Sequence, residues 1–366
     1  MLDPMLVGRG NWRENHFATK RFVMARLKAA VLGTGSIGDI HLAGYAASPD
    51  VEIAALCDVN AARLAEMGRK YGVEPSHLYN NYRDLLKHET LDLVSVCTPN
   101  VFHFEMASAA IKKGIPTLIE KPMTISLDDA RRLRALAGRT GIKTMVAFSN
   151  RFAGPNYTAK RLLDRGAIGK PFMIRVRYAH GGPYPGWGQS DWFYKPALAG
   201  GGALLDMGIH AIDMCQFLIG PIRKVSAFVR TLRKPIKVDD NAVVTVDFGP
   251  KIKCLGYIEC GWTSGPGFGG VEIYGDKGTL ILDVNRGPVH LHGTTKPDGT
   301  RVVECDPIEV PPGPSHWPLQ MESWIRYVQG KKTVIPVPTV EDGYTSLAAA
   351  LAAVESSKTG RQITLR

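Results

Sequence analysis

Three ionisable side chains recur at helical spacing in a segment that is otherwise almost wholly apolar. Asp206, His210 and Asp213 stand at positions i, i+4 and i+7 of the segment 199–220, which opens on the glycines 200–202. Side chains at this spacing share one face of a helix, and a buried charge is costly unless it is paired or used. The face is therefore predicted to line a cavity, bind a metal or complete a hydrogen-bond network.

The chemistry that such a face supports best is proton transfer. A lone histidine on a buried helix is more often a hydrogen-bonded core residue than a catalyst. An acid one turn away favours catalysis, because a carboxylate can orient the imidazole and raise its basicity. A metal site is not expected, since the sequence has neither an HExxH motif nor a cysteine cluster. The glycines before the helix let the backbone approach something flat, which we interpret as a nicotinamide ring.

A glycine-rich turn between a strand pattern and a helix pattern predicts a dinucleotide site. Its residues are Gly33, Gly35, Ser36, Ile37 and Gly38. The first glycine permits the sharp turn, the second lets the backbone approach the pyrophosphate, and the third lets helix and strand pack closely. N–H groups at the helix N-terminus then bind the phosphates. The alternative is a tight loop without a ligand, which the flanking strand and helix and a following acid make less favoured.

That acid, Asp58, decides which dinucleotide is expected. It ends the second apolar run, where a carboxylate accepts hydrogen bonds from the ribose hydroxyls and repels a 2′-phosphate. The sequence therefore predicts NAD. NADP stays open, because Arg63 lies about one helical turn further along and would tolerate a phosphate.

Two further strand ends carry polar residues, and ligands of open α/β sheets bind beyond such ends. After the run 91–97 come Thr98, Pro99, Asn100 and His103, and after the run 116–119 come Glu120 and Lys121. These residues are candidates for contact with the cofactor, and a lysine there can also reach a substrate oxygen. The alternative for Glu120 and Lys121 is a surface salt bridge, worth about 0 to 1 kcal/mol, which needs no such placement.

Two patterns of secondary structure divide the chain. Apolar runs at 27–32, 51–57, 91–97, 116–119 and 142–148 alternate with helical patterns after the glycine turn and at 61–71, 102–113 and 127–137. This alternation predicts a parallel, doubly covered α/β sheet. Strand-like runs then follow one another at 171–178, 225–230, 242–248, 254–260, 271–274 and 278–284, before helices at 319–329 and 344–357. This second pattern indicates an antiparallel α+β fold.

We therefore predict an NAD(P)-binding Rossmann domain over residues 24–150 and a substrate-binding domain over 151–366. Residues 1–23 are predicted to be a flexible arm or a misassigned start. The 366 residues suit two domains, and no apolar run approaches the roughly 18 residues that span a bilayer. Six cysteines without CxxC spacing indicate reduced thiols and a cytoplasmic protein.

A net charge of +11 raises the question of nucleic acid or of an anionic ligand. The cations are scattered, and the sequence shows no helix-turn-helix, zinc knuckle or localised basic run. No nucleic-acid or membrane partner is therefore expected. We interpret the excess as a solvated surface with some attraction for an anionic cofactor or substrate.

The segment 179–195 is rich in glycine, proline and aromatic residues and precedes the helix with Asp206. Aromatic faces such as that of Trp192 suit the apolar side of a sugar ring. A packed loop at a dimer interface is an equally good interpretation. Arg151 and Tyr157, just past the run 142–148, are further substrate candidates.

Taken together, the motifs resemble those of the Gfo/Idh/MocA oxidoreductase family, which includes glucose-fructose oxidoreductase and inositol dehydrogenase. The GTGSIG turn, the TPNVFH segment, the Glu120-Lys121-Pro122 turn and the Asp206-x-Gly208-x-His210 helix follow in the family's order over essentially the whole chain after Met24. The resemblance implies a second domain built on a large, open, mainly antiparallel sheet. It also implies homodimers or homotetramers formed across the face of that sheet.

The same resemblance implies roles for individual residues. Lys121, Asp206 and His210 would form the catalytic group. Asn100, His103 and Glu120 would line the nicotinamide side of the cofactor.

The sequence thus predicts reversible oxidation of a secondary hydroxyl of a cyclic sugar or polyol, inositol-like or hexose-like, by NAD. His210 would be the general base, Asp206 would position it, and Lys121 would bind the reacting oxygen. One alternative is a nonredox sugar enzyme, such as a glycosidase that oxidises its substrate transiently. An alternative of another class is a dinucleotide-sensing or nucleic-acid-binding protein, which only the charge suggests.

Overall fold

The computed structural model describes residues 26–365 except 189, 266 and 284–286. These residues form two β-sheets with helices packed against them. The arm predicted at 1–23 lies outside the described residues. Within the part of the chain that the structure describes, every helix is too short or too polar to cross a membrane.

The first sheet is parallel. Its strands are β1 (Leu27–Leu32), β2 (Val51–Cys57), β3 (Leu78–Tyr79), β4 (Leu93–Val96), β5 (Thr117–Ile119) and β6 (Thr144–Val146). Its helices are α1 (Ser36–Ala46), α2 (Ala61–Tyr71), α3 (Tyr82–His88), α4 (His103–Lys112) and α5 (Leu127–Thr140). The strand order β3-β2-β1-β4-β5-β6 reverses between β1 and β4, and such a reversal opens a crevice at the carboxyl ends of the strands. The predicted Rossmann fold is confirmed; α3 and the short β3 were not predicted.

The second sheet is mixed and mostly antiparallel, as the resemblance implied. Its strands are β7 (Pro171–Ala179), β8 (Lys224–Arg230), β9 (Asn241–Asp247), β10 (Leu255–Gly261), β11 (Phe268–Gly275), β12 (Gly278–Asp283), β13 (Gly287–Thr295), β14 (Arg301–Pro307) and β15 (Ile363–Thr364). They lie in the order β14-β13-β12-β11-β7-β10-β9-β8-β15. Among the described pairs of this sheet, only β7 and β10 run parallel. Their carboxyl ends therefore meet at one edge of the sheet.

Five further helices accompany this sheet. They are α6 (Gly154–Asp164), α7 (Pro196–Ala199), α8 (Ile209–Leu218), α9 (Trp317–Val328) and α10 (Val340–Thr359). Helices α8 and α10 cover one face of the sheet, where Val244 and Ile258 are fully buried. Alternate residues on the opposite face, such as Phe228 and Val243, are exposed. The oligomer expected across this face stays a prediction.

The last two helices return to the first sheet, because α9 packs on α1 and α10 packs on α5. Buried hydrogen bonds fix the first of these contacts: the indole N–H of Trp324 donates to Tyr45 Oη at 3.0 Å, and Tyr45 Oη lies 2.7 Å from Ser95 Oγ. The return of the chain brings the segment just before α9 to the carboxyl ends of the first sheet's strands. The domain boundary predicted near residue 150 falls in the short 3₁₀ turn Ser149–Phe152.

Candidate active site

Two cavities adjoin at the carboxyl ends of the first sheet's strands. The first cavity has a volume of about 460 Å³ and the second cavity about 590 Å³. Lys121, Asp206 and His210 line the first, and Asp58 lines the second. The residues that line both are Ser36, Ile37, Thr98, Trp187, Trp192 and Phe193. A ligand that extends from Asp58 to Lys121 would therefore occupy both cavities.

The glycine turn forms part of the wall of the second cavity. Gly33 has φ +92°, a conformation that favours glycine, and a Cβ there would collide with the backbone of Cys97. A Cβ on Gly38 would collide with the carbonyl of Gly33, so this glycine brings α1 against the turn. A Cβ on Gly35 would meet no atom within 4 Å. Gly35 therefore leaves open space where the pyrophosphate of a dinucleotide can approach the backbone, and the turn fits this cofactor.

The Asp58 carboxylate is fixed beside this turn. Its Oδ2 accepts hydrogen bonds from the N–H and hydroxyl of Thr34 at 2.7 and 2.9 Å, and its Oδ1 accepts one from the N–H of Asn60 at 2.9 Å. Arg63 is held by protein groups, because its Nε donates to the carbonyl of Thr34 and its Nη1 to Glu66, both at 2.9 Å. The wall thus presents an oriented carboxylate beside an arginine that is already paired, which favours NAD over NADP.

The half-buried Lys121 and the buried Asp206 form an ion pair in the first cavity. Lys121 Nζ lies 2.6 Å from Asp206 Oδ1, and Trp262 Nε1 donates to Asp206 Oδ2 at 3.0 Å. His180 Nε2 lies 3.9 Å from the same Oδ2 atom. Burial opposes ionisation of Asp206, but the adjacent ammonium and indole N–H lower the pKa of its carboxyl below the usual value. Asp206 is therefore the ionised partner that holds the lysine in place.

The helix that carries Asp206 begins with a π-helical turn, Leu204–Gly208, and becomes α-helical only at α8. Such turns are rare and occur frequently at functional sites. The Asp239 carboxylate caps it, accepting the N–H groups of Gly202 and Leu204 at 2.8 and 2.7 Å. A Cβ on Gly202 would collide with the backbone of Asp239. Gly201 and Gly202 line the first cavity, and the flat ligand that we expect against these glycines stays a prediction.

His210 is buried and lines the first cavity. Its Nδ1 has no hydrogen-bond partner among the described residues, and its ring meets that of Phe148 edge-on, with the centroids 6.2 Å apart. Burial and the nearby Lys121 ammonium lower the pKa of His210 well below 6.5, against the opposing effect of Asp206. Among the described residues, the hydrogen bonds of the Asp206 carboxylate go to Lys121 and Trp262 and none joins it to His210. The expectation that Asp206 orients His210 stays a prediction.

Three predicted cofactor contacts line the first cavity but are engaged with protein groups. Glu120 Oε1 lies 3.1 Å from His41 Nε2. The two ring nitrogens of His103 each lie 2.8 Å from a backbone carbonyl, those of Pro122 and Thr98. The Asn100 amide donates to the carbonyl of Ala199 at 2.9 Å. These side chains fix the backbone that forms the wall of the cavity.

Two substrate candidates lie elsewhere. Arg151 is buried and makes a bidentate ion pair with Asp213, with Nε–Oδ2 2.8 Å and Nη2–Oδ1 2.6 Å, and it also donates to Asp342 at 2.7 Å. Tyr157 is buried in the hydrophobic core. Neither is among the described residues that line the two cavities. Their placement gives no support to the substrate roles expected of both, which stay predictions, and Asp213, part of the predicted polar stripe, is the ion-pair partner of Arg151.

The aromatic segment 179–195 lies at both cavities rather than only at the surface. Trp192 and Phe193 stack with their ring centroids 3.8 Å apart, and Trp187 meets Phe193 edge-on at 5.1 Å. Ser36 Oγ donates to the carbonyl of Trp187 at 3.0 Å, which ties this segment to the glycine turn. Trp192 lines both cavities, and its contact with a substrate stays a prediction.

Among the residues of the first cavity that were not predicted, four carry an imidazole or indole ring: His180, Trp262, His316 and Trp317. His180 directly follows β7 and Trp262 directly follows β10, the parallel pair of strands, so the ends of these strands place both side chains at Asp206. Inspection of strand ends in the second half would have found them. His316 and Trp317 lie at the start of α9 and reach the cavity because α9 packs on α1 of the first sheet. The local sequence does not predict this packing.

Two family models match the chain: an oxidoreductase family with an NAD-binding Rossmann fold over residues 27–148, and the GFO/IDH/MocA C-terminal domain over residues 157–281. The chain belongs to the Gfo/Idh/MocA family. It is therefore an NAD-binding enzyme of a family of sugar and polyol oxidoreductases.

Relatives cover most of the chain. D-glucoside 3-dehydrogenase of Escherichia coli K12 is 25% identical over 93% of this chain and 97% of its own length. Myo-inositol 2-dehydrogenase of Thermotoga maritima is 29% identical over 70% of this chain and 75% of its own. A solved structure of levoglucosan dehydrogenase with NADH and L-sorbose has a TM-score of 0.82 and 22% identity, and it covers 94% of this chain and 100% of that one.

Proposed function

We propose that the protein oxidises a secondary hydroxyl of a cyclic sugar or polyol with NAD. The observation that carries this proposal is the meeting of the Lys121–Asp206 ion pair and a neutral, buried His210 in one cavity. That cavity adjoins the cavity of the dinucleotide turn. Names of relatives support the substrate class, since glucosides and inositol are the substrates named for two of them.

Each residue of the group has a distinct task. His210 accepts the hydroxyl proton, which its low pKa permits because the ring is neutral before the reaction. Lys121 donates a hydrogen bond to the reacting oxygen and stabilises the negative charge that develops there. Asp206 keeps the lysine charged and in position.

The cofactor site fits NAD through the open face at Gly35, the Asp58 carboxylate and the N-terminus of α1. Bound nicotinamide supplies the acceptor for the hydride that leaves the substrate carbon. Trp187 and Trp192 line both cavities and supply apolar surface beside the bound cofactor.

The direct experiment is a panel of sugars and inositols, each incubated with NAD and the purified protein and scored by NADH absorbance. We expect at least one cyclic polyol to yield NADH in proportion to oxidised product. Product without net NADH would support the nonredox alternative. NAD binding without turnover across the panel would support a dinucleotide sensor and contradict the proposal.

We expect kcat/KM to be at least about tenfold higher with NAD than with NADP, because the Asp58 carboxylate repels a 2′-phosphate. Steady-state kinetics with each cofactor measures this ratio. Asp58→Ala should lower the ratio of kcat/KM with NAD to kcat/KM with NADP. Asp128→Ala, which removes an exposed carboxylate from α5, should leave this ratio unchanged. A higher kcat/KM with NADP would contradict the assignment.

The pH dependence should reflect the depressed pKa of His210. Only the neutral imidazole accepts a proton, and burial keeps it neutral below its usual pKa of 6.5. Substrate oxidation should therefore retain its kcat/KM plateau as the pH falls through 6.5 and decline only in more acidic solution. A pH profile with an acid limb centred at or above 6.5 would show that His210 does not act in this form.

A further inference from the structure

The first cavity has almost no free positive charge, despite the net charge of +11. Among the described residues that line it, Lys121 is the only lysine or arginine. Its ammonium is engaged by Asp206 at 2.6 Å. Glu120 adds a second carboxylate to the same cavity. The formal balance of these three side chains is one positive against two negative charges.

The histidines of the cavity do not alter this balance. They are His103, His180, His210 and His316. Burial lowers the pKa of each of them below 6.5, which favours the neutral form, and both ring nitrogens of His103 are engaged by backbone carbonyls. A neutral imidazole can donate one hydrogen bond and accept another, as a sugar hydroxyl does, but it offers no charge to a carboxylate or phosphate.

We propose that the substrate of this cavity is an uncharged sugar or polyol, and that sugar phosphates, uronic acids and nucleotide sugars are excluded by charge. This inference rests on the proposed function and narrows its substrate class. An anionic group would lose hydration in this cavity and would face the Glu120 and Asp206 carboxylates, while the Lys121 ammonium is already paired with Asp206. The sequence left an attraction for an anionic substrate open, and the charges of the cavity argue against it.

The neutral polar groups are arranged for hydroxyls. His180 Nδ1 accepts the N–H of Gly182 at 2.8 Å, so its proton resides on Nε2, the nitrogen nearer Asp206. On another part of the wall, His316 Nε2 lies 3.1 Å from Asn150 Oδ1. His316 has φ +58°, which is uncommon for a residue with a side chain. Such strained conformations cluster at functional sites.

Aromatic rings complete this cavity. Trp192 lies on the side shared with the second cavity, and Trp317 lies beside His316, with ring centroids 4.2 Å apart. Flat apolar faces suit the C–H side of a pyranose or cyclitol ring. Rings and neutral imidazoles together match an uncharged polyhydroxylated ring.

Matched ligands test the proposal. Glucose is compared with glucuronate and glucose 6-phosphate, and myo-inositol with an inositol monophosphate, all with the full chain. NADH formation in the presence of NAD gives kcat/KM, and a separate tryptophan-fluorescence titration without NAD gives Kd without turnover. We expect each neutral member to exceed its anionic partner at least about tenfold in one or both measurements.

The outcomes separate the two claims. An anionic sugar that reduces NAD as well as its neutral partner, or better, overturns the charge proposal and leaves NAD-dependent oxidation intact. If no sugar reduces NAD, the proposed function fails, and the fluorescence measurement alone decides the charge preference. If neither neutral nor anionic sugars bind, both the charge proposal and the proposed function are overturned.

A pair of variants tests whether missing positive charge is the cause. Trp317 is 37% exposed and stands in the first turn of α9, so a polar replacement there can be accommodated. Trp317→Arg places a cation at the cavity, and Trp317→Gln is the neutral control. We expect glucuronate to bind the arginine variant at least about tenfold more tightly than the glutamine variant. Equal, weak binding by both folded variants would contradict the proposal.

Discussion

His210→Ala is expected to lower kcat for sugar oxidation by about 10²- to 10⁴-fold at saturating NAD, which is the usual contribution of a general base. The affinity for NAD should change much less than kcat, because Asp58 and the glycine turn, which would bind the adenosine and pyrophosphate, line the second cavity and His210 does not. His88→Ala, an exposed histidine on α3, is the matched control. Near-normal turnover of His210→Ala would contradict the assignment.

The second variant removes the lysine ammonium that we propose to hydrogen-bond the reacting oxygen of the substrate. Lys121→Met should lower kcat by about 10²- to 10³-fold, the typical loss when one donor to a developing oxyanion is removed. It also leaves Asp206 buried without its cation, so the single variant is expected to melt earlier. The double variant Lys121→Met with Asp206→Asn should regain part of that stability but no activity. Recovered activity would contradict the role of the lysine.

Arg151→Met is expected to lower the free energy of unfolding by about 3 to 5 kcal/mol, because it leaves the buried Asp213 carboxylate without its cation. Burial raises the pKa of Asp213 to about 6 even beside the guanidinium. An acid whose pKa is raised by folding contributes less stability as the pH rises, so the penalty should be larger in alkaline than in mildly acidic solution.

Denaturant unfolding of the purified variants measures this loss. Arg165→Met, which replaces an exposed arginine just after α6, is the control and should change stability by less than about 0.5 kcal/mol. Adding Asp213→Leu to Arg151→Met should restore part of the loss, since no buried charge then remains. A stable Arg151→Met variant with impaired substrate binding would instead return Arg151 to the substrate site.

Much of the first sheet and its glycine turn was predictable, because local signals define them. A buried parallel strand reads as an apolar run, and a GxGxxG turn between a strand and a helix, with an acid after the next strand, is typical of a dinucleotide site. Strands β13 and β14 were not predicted, because their sequences lack such local signals. They lie at one edge of the second sheet, and β14 is mostly exposed, so its sequence, RVVECDP, has no continuous apolar run.

Spacing along the chain predicted the site only where the sequence distance is short, and only the resemblance to the family grouped Lys121 with Asp206 and His210. The spacing of Asp206 and His210 placed both at one cavity, but it suggested that they pair with each other. The actual partner of Asp206 is Lys121, 85 residues earlier in the chain. Such pairings depend on how the two sheets meet, which periodicity does not encode.

Arg151 shows the same limit of local sequence patterns, because its partner also lies far away along the chain. A charged residue just past a strand end suggests ligand contact, and its position gave no indication of Asp213 as a partner. The ion pair forms because the 3₁₀ turn Ser149–Phe152 lies against α8, an arrangement that arises from tertiary packing.

The most direct test of NAD-dependent oxidation is the fate of the hydrogen on the oxidised carbon. A cyclic polyol that reduces NAD is prepared with deuterium on its ring carbons, and the NADH formed is analysed by mass spectrometry and NMR. We predict one deuterium per NADH, at C4 of the nicotinamide, in proportion to ketone formed. NADH without deuterium, or product without net NADH, would contradict hydride transfer from the substrate carbon to the cofactor.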